Sequence, residues 1–354
     1  MSDQLELSAT AQPPVPRTRD AALDPAWLTH ALAPITGGGR IESVEVVEVI
    51  RTMATKVRFK VAWDGGRQSA ALCLKAFLDV DEATARGGTT TIIEADFYDR
   101  IAPGSSVRVP ACVATICDRA NPQGVIIMRD LIADGARFCS ALGPFSADQA
   151  AASLEQIARL HATKGVLERE PWIERRIASL AEAAYVPQPM LQELLHGPRG
   201  VNLTERTKDA GRLIAGMKAL AARDAALPQT LVHGDCHAGN IFQTADGPGL
   251  IDWQLLQRGG WALDVAYHIS AVLPVELAEQ EEWNLLRHYL GAARGFGVEV
   301  PDFEAAREQY RAAPVYGFYL WSITRRVDPP IINVFVDRLG KSVTRHDSYR
   351  LLGL

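Results

Sequence analysis

Five strand-like segments lie in the first part of this chain, between residues 41 and 128, and helix-like segments dominate the remainder. The first segment alternates apolar and polar side chains, as a strand with one buried face does. Asp64-Gly65-Gly66 separates the second and third segments and is typical of a β-hairpin turn. This order predicts a β-rich unit followed by a helical one. The five segments are residues 41–50, 54–63, 68–77, 111–117 and 124–128.

Domain limits follow from this change in pattern and from the polar N-terminus. Residues 1–20 are polar and rich in proline, which predicts a mobile tail. A β-rich lobe is predicted over residues 21–131, with one helix over residues 89–102, where apolar residues recur every four positions. Residues 132–354 form the predicted helical lobe. The fold class is therefore α+β with two lobes.

The helical lobe also contains short strand-like stretches, and they surround its most polar segment. Helices are predicted over residues 147–163, 204–226 and 276–296 from their apolar periodicity. The strand-like stretches are LVHGD, NIFQT and GLIDW, within residues 231–253.

Composition excludes several classes of protein. The 354 residues are 47% hydrophobic and carry a formal net charge of −5. No Lys/Arg block is present, which argues against a nucleic-acid partner. No apolar run is long enough to span a membrane. The five cysteines show no CxxC spacing, which favours a reducing cytoplasm, and the oligomeric state is left open.

Residues that can carry chemistry are concentrated in the segment LVHGDCHAGNIFQTADGPGLIDWQ. Asp235 and Asn240 are five positions apart, and Asp252 lies twelve positions beyond Asn240. Such polar residues are costly to bury between apolar strands unless they are paired or bind metal. Two carboxylates and an amide provide the oxygen ligands that Mg²⁺ prefers. Phosphoryl transfer needs this combination, because it depends on positioning and on neutralising phosphate charge.

These motifs resemble those of the aminoglycoside phosphotransferase and choline-kinase-like superfamily, which has the protein-kinase-like fold. The family loop HxDxxxxN corresponds to His233–Asn240, and its later Ile-Asp-Trp corresponds to Ile251-Asp252-Trp253. The resemblance implies an N-terminal lobe with a five-stranded antiparallel sheet and a helix, ahead of a larger helical lobe. It implies that Asp235 is the catalytic base and that Asn240 and Asp252 are Mg²⁺ ligands. It also matches Asp264-Val265-Ala266, where Asp264 is interpreted as a buried brace for the loop.

The resemblance extends to a nucleotide site in the first lobe, with ATP as the cofactor and GTP as the alternative. Lys75 lies in the apolar stretch LCLKAF, where an unpaired ammonium would be costly. Glu94 on the following helix is its predicted partner, ahead of Glu82. Arg129 and Leu131 fall at the position of the family's interlobe hinge, whose backbone would bond the adenine.

One segment departs from the family, and the motifs leave two other functions open. Relatives often have glycine between the first two strands, whereas residues 51–56 contain none. A nucleotide-binding pseudokinase is therefore one alternative. A metal-dependent hydrolase is the other, because His233, Asp235 and His237 form an H-x-D-x-H string. The preferred prediction is a kinase acting on a hydroxyl group of a small molecule, whose identity the sequence does not reveal.

Overall fold

The computed structural model describes residues 13–183 and 185–354. These residues form two compact units. The first comprises residues 13–98 and 111–134, and the second comprises residues 99–110 and the described residues from 135 onward.

The first unit contains the five predicted strands and short helices. Its elements are α1 (Arg19–Ala22), α2 (Pro25–Ala31), α3 (Ala33–Thr36), β1 (Ile41–Arg51), β2 (Thr55–Trp63), β3 (Gln68–Ala76), α4 (Glu82–Ala85), α5 (Thr89–Asp96), β4 (Cys112–Asp118) and β5 (Gln123–Arg129). A π-helical turn, Phe97–Ile101, continues the chain from α5.

The strands form one antiparallel sheet in the order β1-β2-β3-β5-β4. The hairpin between β2 and β3 turns at the Asp-Gly-Gly sequence, as predicted. Helix α2 begins at Pro25 because the carboxylate of Asp24 accepts hydrogen bonds from the backbone N–H groups of Ala26 and Trp27. Its apolar face joins Phe59 and other strand side chains in one core. The sheet predicted for this lobe is confirmed.

A mobile tail was predicted for residues 1–20, and residues 1–12 of this segment lie outside the described residues. The remaining residues of that segment are held against the first unit. The indole N–H of Trp27 donates to the carbonyl of Pro14 at 2.7 Å, and the side-chain amide of Gln123 donates to the carbonyl of Pro16 at 3.0 Å. Proline carbonyls accept hydrogen bonds although proline has no N–H, so this proline-rich segment is ordered by donors from elsewhere in the unit.

Residues 99–110 cluster with the second unit, whereas the predicted domain limit placed them in the first. The reason is their hydrogen bonding. The backbone N–H of Arg108 donates to Gln156 Oε1 at 2.8 Å, and the hydroxyls of Ser105 and Thr163 are 2.9 Å apart. Gln156 lies in α6 and Thr163 lies just after it, 48 and 58 residues further along the chain. Local sequence patterns therefore do not predict these contacts.

The second unit is mainly helical. Its elements are β6 (Arg137–Phe138), α6 (Ala147–His161), α7 (Val166–Arg169), α8 (Arg176–Glu182), α9 (Gln188–His196), α10 (Ala210–Ala225), β7 (Thr230–Val232), β8 (Ile241–Thr244), β9 (Gly247–Leu250), β10 (Gln257–Gly259), α11 (Ala262–Val272), α12 (Val275–Gly295), α13 (Phe303–Ala312), α14 (Pro314–Ile323), α15 (Pro329–His346) and α16 (Ser348–Leu351).

The core of this unit is built by α10, α11, α14 and α15, with large side chains such as Tyr267, Tyr316 and Phe335 buried among them. Helices α6 and α12 correspond to the predicted segments 147–163 and 276–296. Helix α10 begins six residues later than predicted, at Ala210, because Asp209 caps it there. No helix in the described parts of the chain is both long and apolar enough to cross a membrane.

We predict that Gly124→Ala destabilises the first unit. Its Cβ would lie 2.4 Å from the carbonyl oxygen of Thr91 in α5, so helix and strand would have to separate. Urea denaturation should show a loss of about 1–3 kcal/mol in the free energy of unfolding. Gly104→Ala is the control, because its Cβ meets nothing within 4 Å and stability should be near wild type. A Gly124→Ala variant as stable as wild type would contradict this close packing.

Candidate active site

The loop of residues 233–240 leaves strand β7 and is fixed at its start by Asp264 of helix α11. The backbone N–H of His233 donates to Asp264 Oδ2, and that of Gly234 donates to Oδ1, both at 2.8 Å. Asp264 is fully buried. A buried carboxylate that accepts two backbone N–H groups fixes the direction in which the chain leaves the strand. The interpretation of Asp264 as a brace therefore agrees with its contacts.

Asp264 is itself held by His161 at the end of helix α6. His161 Nε2 lies 3.1 Å from Asp264 Oδ2, and His161 Nδ1 lies 2.7 Å from the hydroxyl of Tyr289. Burial alone would raise the pKa of Asp264. The hydrogen bond and charge of His161, together with the N–H of Gly234, outweigh burial and hold that pKa below its usual value. The carboxylate is thereby kept ionised.

Gly234 makes the sharp turn that brings the next side chain out of the strand. Its φ is +81°, and a Cβ there would lie 2.4 Å from the carbonyl oxygen of Leu255. Only glycine accommodates both conditions. The carbonyl of Gly234 also accepts a 2.8 Å hydrogen bond from the hydroxyl of Tyr316. The backbone on both sides of the turn is therefore fixed.

Asp235 follows this turn, and its carboxylate is held without being enclosed. Oδ1 accepts a hydrogen bond from the hydroxyl of Tyr267 at 2.9 Å. Oδ2 accepts one from Asn240 Nδ2 at 3.2 Å, and His237 Nε2 lies 3.5 Å away. The side chain is 24% exposed, so part of it remains accessible. Asp235 and Asn240 are therefore neighbours, as predicted.

The pairing of β8 with β9 joins the residue before Asp252 to Asn240. The predicted strand GLIDW ends at Leu250, and the backbone N–H of Ile251 donates to the carbonyl of Asn240 at 3.0 Å. Asp252 itself has left-handed backbone angles, φ 69° and ψ 74°. A non-glycine residue in this region costs energy and is often found at functional sites. The prediction that Asp252 lies in a strand is therefore wrong, because the chain turns at this residue.

The side chains of Asn240 and Asp252 fit a hard divalent cation. Asn240 Nδ2 is committed to Asp235, where it donates to the backbone carbonyl at 2.9 Å and to Oδ2. The amide oxygen of Asn240 is therefore the atom left for a ligand. An amide oxygen and a carboxylate suit Mg²⁺, which keeps several waters and needs few protein ligands.

A zinc site built on the H-x-D-x-H string does not fit the contacts of His233. Its Nδ1 accepts the backbone N–H of Asp235 at 3.2 Å, and its Nε2 donates to the carbonyl of Ile251 at 3.0 Å. Burial lowers the pKa of His233, so the neutral ring uses both nitrogens within the protein. Within residues 13–183 and 185–354, no group of three or more His, Cys, Asp or Glu is placed to hold a metal ion.

Helix α11 supplies two further contacts to the loop that the sequence reasoning missed. Tyr267 bonds Asp235, and His268 Nδ1 donates to the carbonyl of Cys236 at 2.9 Å. His268 Nε2 lies 2.8 Å from the hydroxyl of Ser153. Asp264, Tyr267 and His268 occupy positions i, i+3 and i+4 of a helix whose residues are all buried. Three polar residues on one face of a mostly apolar helix were a signal that could have found this role.

In the first unit, the predicted pair of Lys75 and Glu94 is present. Lys75 Nζ lies 2.6 Å from Glu94 Oε2, and the side chains are 3% and 1% exposed. Lys75 is on β3 and Glu94 on α5. Removing one partner of a buried ion pair destabilises the fold, because the other partner is left as an uncompensated buried charge.

Arg129 and Leu131 lie at the end of β5, in the first unit. The backbone N–H of Arg129 donates to Ala111, and that of Asp130 donates to Ala71. Among the hydrogen bonds of the described residues, none uses the backbone N–H or carbonyl of Leu131. Both backbone groups of Leu131 therefore lack a hydrogen-bond partner among the described residues.

We predict that His268→Gln reduces the pH dependence of stability below neutrality. Burial lowers the pKa of His268 from 6.5 to about 4, so between these values the unfolded chain binds a proton that the native chain does not. Protonation in this window favours unfolding, and wild-type stability falls as pH falls. The stability difference between wild type and His268→Gln should therefore shrink by about 2 kcal/mol from pH 7 to pH 5. Denaturant titrations at both pH values measure it, and a constant difference would contradict the neutral, buried imidazole.

Solved structures share this fold. A choline/ethanolamine kinase family protein from Mesorhizobium loti aligns with a TM-score of 0.50 and 17% identity, covering 92% of this chain and 96% of that one. A Ralstonia eutropha protein assigned as an aminoglycoside phosphotransferase gives 0.54 and 14%, covering 92% and 98%. The amicoumacin kinase hAmiN, in complex with AMP-PNP, Ca²⁺ and Ami, gives 0.51 and 14%, covering 85% and 88%. At these identities the likeness shows the fold alone, and the predicted kinase-like α+β fold is confirmed.

A search of curated proteins gave no significant match. The model of the phosphotransferase enzyme family, APH, matches residues 85–308, more than half of the chain. The matched range includes Glu94, the loop of residues 233–240 and Asp252. It confirms the resemblance carried by these motifs and the prediction of an enzyme that transfers phosphate to an alcohol group. The chain belongs to the phosphotransferase enzyme family.

Proposed function

We propose that this phosphotransferase moves the γ-phosphate of ATP to a hydroxyl group of a small molecule and that it depends on Mg²⁺. The observation that carries the proposal is the arrangement of Asp235, Asn240 and Asp252. The partly exposed carboxylate of Asp235 accepts a hydrogen bond from the side-chain amide of Asn240. The backbone carbonyl of Asn240 accepts a hydrogen bond from Ile251, the residue before Asp252. Phosphoryl transfer requires a group that orients the nucleophile and oxygen ligands for a metal that binds phosphate.

In this proposal Asp235 is the base. The acceptor hydroxyl donates its proton to the accessible edge of the carboxylate as its oxygen bonds to the γ-phosphorus, and the bond from phosphorus to the ADP oxygen breaks. Tyr267 and Asn240 hold the carboxylate in place, so little reorganisation is needed when the acceptor arrives.

Asn240 and Asp252 would hold Mg²⁺, through the amide oxygen and the carboxylate. When bound, the metal would neutralise charge on the phosphates. The protein's own contribution is to fix these ligands. The carbonyl of Asn240 is bonded to Ile251, and its amide nitrogen is bonded to Asp235, which leaves the amide little freedom to rotate.

Lys75, which is paired with Glu94, would bind the phosphates of the nucleotide. Lys56 is the cross-strand partner of Lys75 in the β2–β3 pair, so both side chains leave the same face of the sheet. Lys56 Nζ also lies 3.3 Å from the hydroxyl of Thr52, in the segment without glycine. Two ammonium groups on one face would offset the absence of a glycine-rich loop over the phosphates. The free backbone groups of Leu131 would bond adenine, and GTP is the alternative nucleotide.

The pseudokinase alternative keeps one supporting observation, the absence of glycine in residues 51–56. Intact Asp235, Asn240 and Asp252 favour the active enzyme over it. The hydrolase alternative is disfavoured, because both ring nitrogens of His233 are engaged within the protein. The cytoplasmic location and the lack of a nucleic-acid partner stay predictions from composition.

We predict that Asp235→Asn severely slows transfer while leaving nucleotide binding and folding nearly unchanged. Loss of a general base lowers rates by roughly 10²- to 10⁴-fold. The full chain would be incubated with ATP, Mg²⁺ and a panel of hydroxyl compounds, and phosphorylated products identified by mass spectrometry. Thermal shift with ATP and Mg²⁺ reports nucleotide binding in each variant.

The control for this substitution is Asp246→Asn, in the turn between β8 and β9. Its carboxylate is 82% exposed and 3.5 Å from Arg108, so its loss should leave turnover and stability nearly unchanged. Normal turnover by Asp235→Asn would reject the assigned base. A wild-type thermal shift with ATP and no product from any acceptor would favour the pseudokinase.

A further inference from the structure

Asp235 is reached by a chain of hydrogen bonds that begins in helix α14. The indole N–H of Trp321 donates to the hydroxyl oxygen of Tyr267 at 2.6 Å. That hydroxyl lies 2.9 Å from Asp235 Oδ1. We propose that Tyr267, oriented by Trp321, is a positioning residue that holds one carboxylate oxygen of Asp235 and leaves the other for the acceptor. This inference rests on the proposed function of Asp235 as the base.

The direction of the chain follows from the chemistry of its members. The indole N–H of tryptophan is a donor only, so the oxygen of Tyr267 must be the acceptor in that bond. The single proton of the Tyr267 hydroxyl is then directed to Asp235, whose ionised carboxylate can only accept. Hydrogen bonds arranged in sequence polarise one another, which strengthens the final bond to the carboxylate.

Burial keeps the tyrosine in its donor form. Tyr267 is fully buried. Burial, followed by the charge of Asp235, raises the pKa of Tyr267 well above its usual value. The hydroxyl therefore keeps its proton at neutral pH and remains a donor.

The indole of Trp321, the first donor in this series of hydrogen bonds, is fixed by its own packing. The ring of Trp321 lies 4.2 Å from that of Phe335, centroid to centroid, and 5.1 Å from that of His237. An indole packed against two rings has little freedom to rotate. Because Trp321 is on α14 and Tyr267 is on α11, the orientation of Asp235 Oδ1 depends on the packing of these two helices.

These contacts assign different roles to the two carboxylate oxygens of Asp235. Oδ1 is occupied by a buried donor, whereas Oδ2 is approached by Asn240 and His237 at 3.2 and 3.5 Å. The contacts to Oδ2 are longer than the 2.9 Å bond to Oδ1, and the side chain of Asp235 is 24% exposed. Oδ2 is therefore the atom that would take the acceptor's proton, and Tyr267 sets the carboxylate plane that presents it.

A double-mutant cycle of Trp321 and Tyr267 tests this series of hydrogen bonds. The readout is single-turnover ADP formation from ATP and Mg²⁺, with water as the acceptor. Tyr267→Phe should slow ADP formation roughly 10- to 100-fold, the range for a hydrogen bond to a charged group. The ATP concentration that gives half of the maximal single-turnover rate should be unchanged. Trp321→Phe should slow it about 3-fold, since the tyrosine remains but its hydroxyl can turn. Because Trp321 acts through Tyr267, the double variant should equal Tyr267→Phe alone.

Two further measurements separate positioning from general loss of packing. Tyr310→Phe removes the hydroxyl of another fully buried tyrosine, whose ring contacts Trp283 and His346 instead, and should leave the rate unchanged. In ¹⁵N-tryptophan spectra of the full chain, the indole signal of Trp321, assigned with Trp321→Phe, should shift upfield and exchange faster in Tyr267→Phe.

The outcomes are distinct. Additive effects of the two substitutions, or an unchanged rate in Tyr267→Phe, would overturn the positioning role. An indole signal that does not move would overturn the hydrogen-bonded chain even if the rate fell. A wild-type chain that forms no ADP with water and no product with any hydroxyl compound of the panel would instead contradict the proposed function. The indole signal would still decide whether Trp321 and Tyr267 are bonded.

Discussion

The buried carboxylate of Asp264 is the contact on which the geometry of the active-site loop depends. It satisfies the backbone N–H groups of His233 and Gly234, which the end of β7 leaves without strand partners. Two unsatisfied buried N–H groups would cost about 1–3 kcal/mol each. His161 keeps this carboxylate ionised and in place. The turn at Gly234, and with it the position of Asp235, follows from this one anchor.

Much of the fold and part of the site could be predicted from sequence because the signals were local. Alternating side chains and the Asp-Gly-Gly turn defined the sheet of the first unit. The pairing of Lys75 with Glu94 could be predicted, because an ammonium in an apolar strand needs a nearby counter-charge. Asp235 and Asn240 were also predictable, since their spacing within one short loop places both side chains near each other.

The features that the sequence did not reveal depend on partners that are distant along the chain. Trp321 and Tyr267 are 54 residues apart, and Tyr267 and Asp235 are 32 apart, so no periodic pattern links them. The turn at Asp252 was missed because the apolar run continues through Ile251, although the strand ends at Leu250. Local pattern sets the elements, whereas burial of polar side chains against remote elements sets the site.

A metal bound by Asn240 and Asp252 beside Asp235 is central to the proposed chemistry, and locating that metal is the most direct test. Crystals of the full chain grown with AMP-PNP and Mn²⁺, a stand-in for Mg²⁺ with a measurable anomalous signal, would place the ion without ambiguity. We predict an anomalous peak bonded by the amide oxygen of Asn240 and the carboxylate of Asp252. A peak held by other side chains, with Asn240 and Asp252 unbound, would contradict this chemistry.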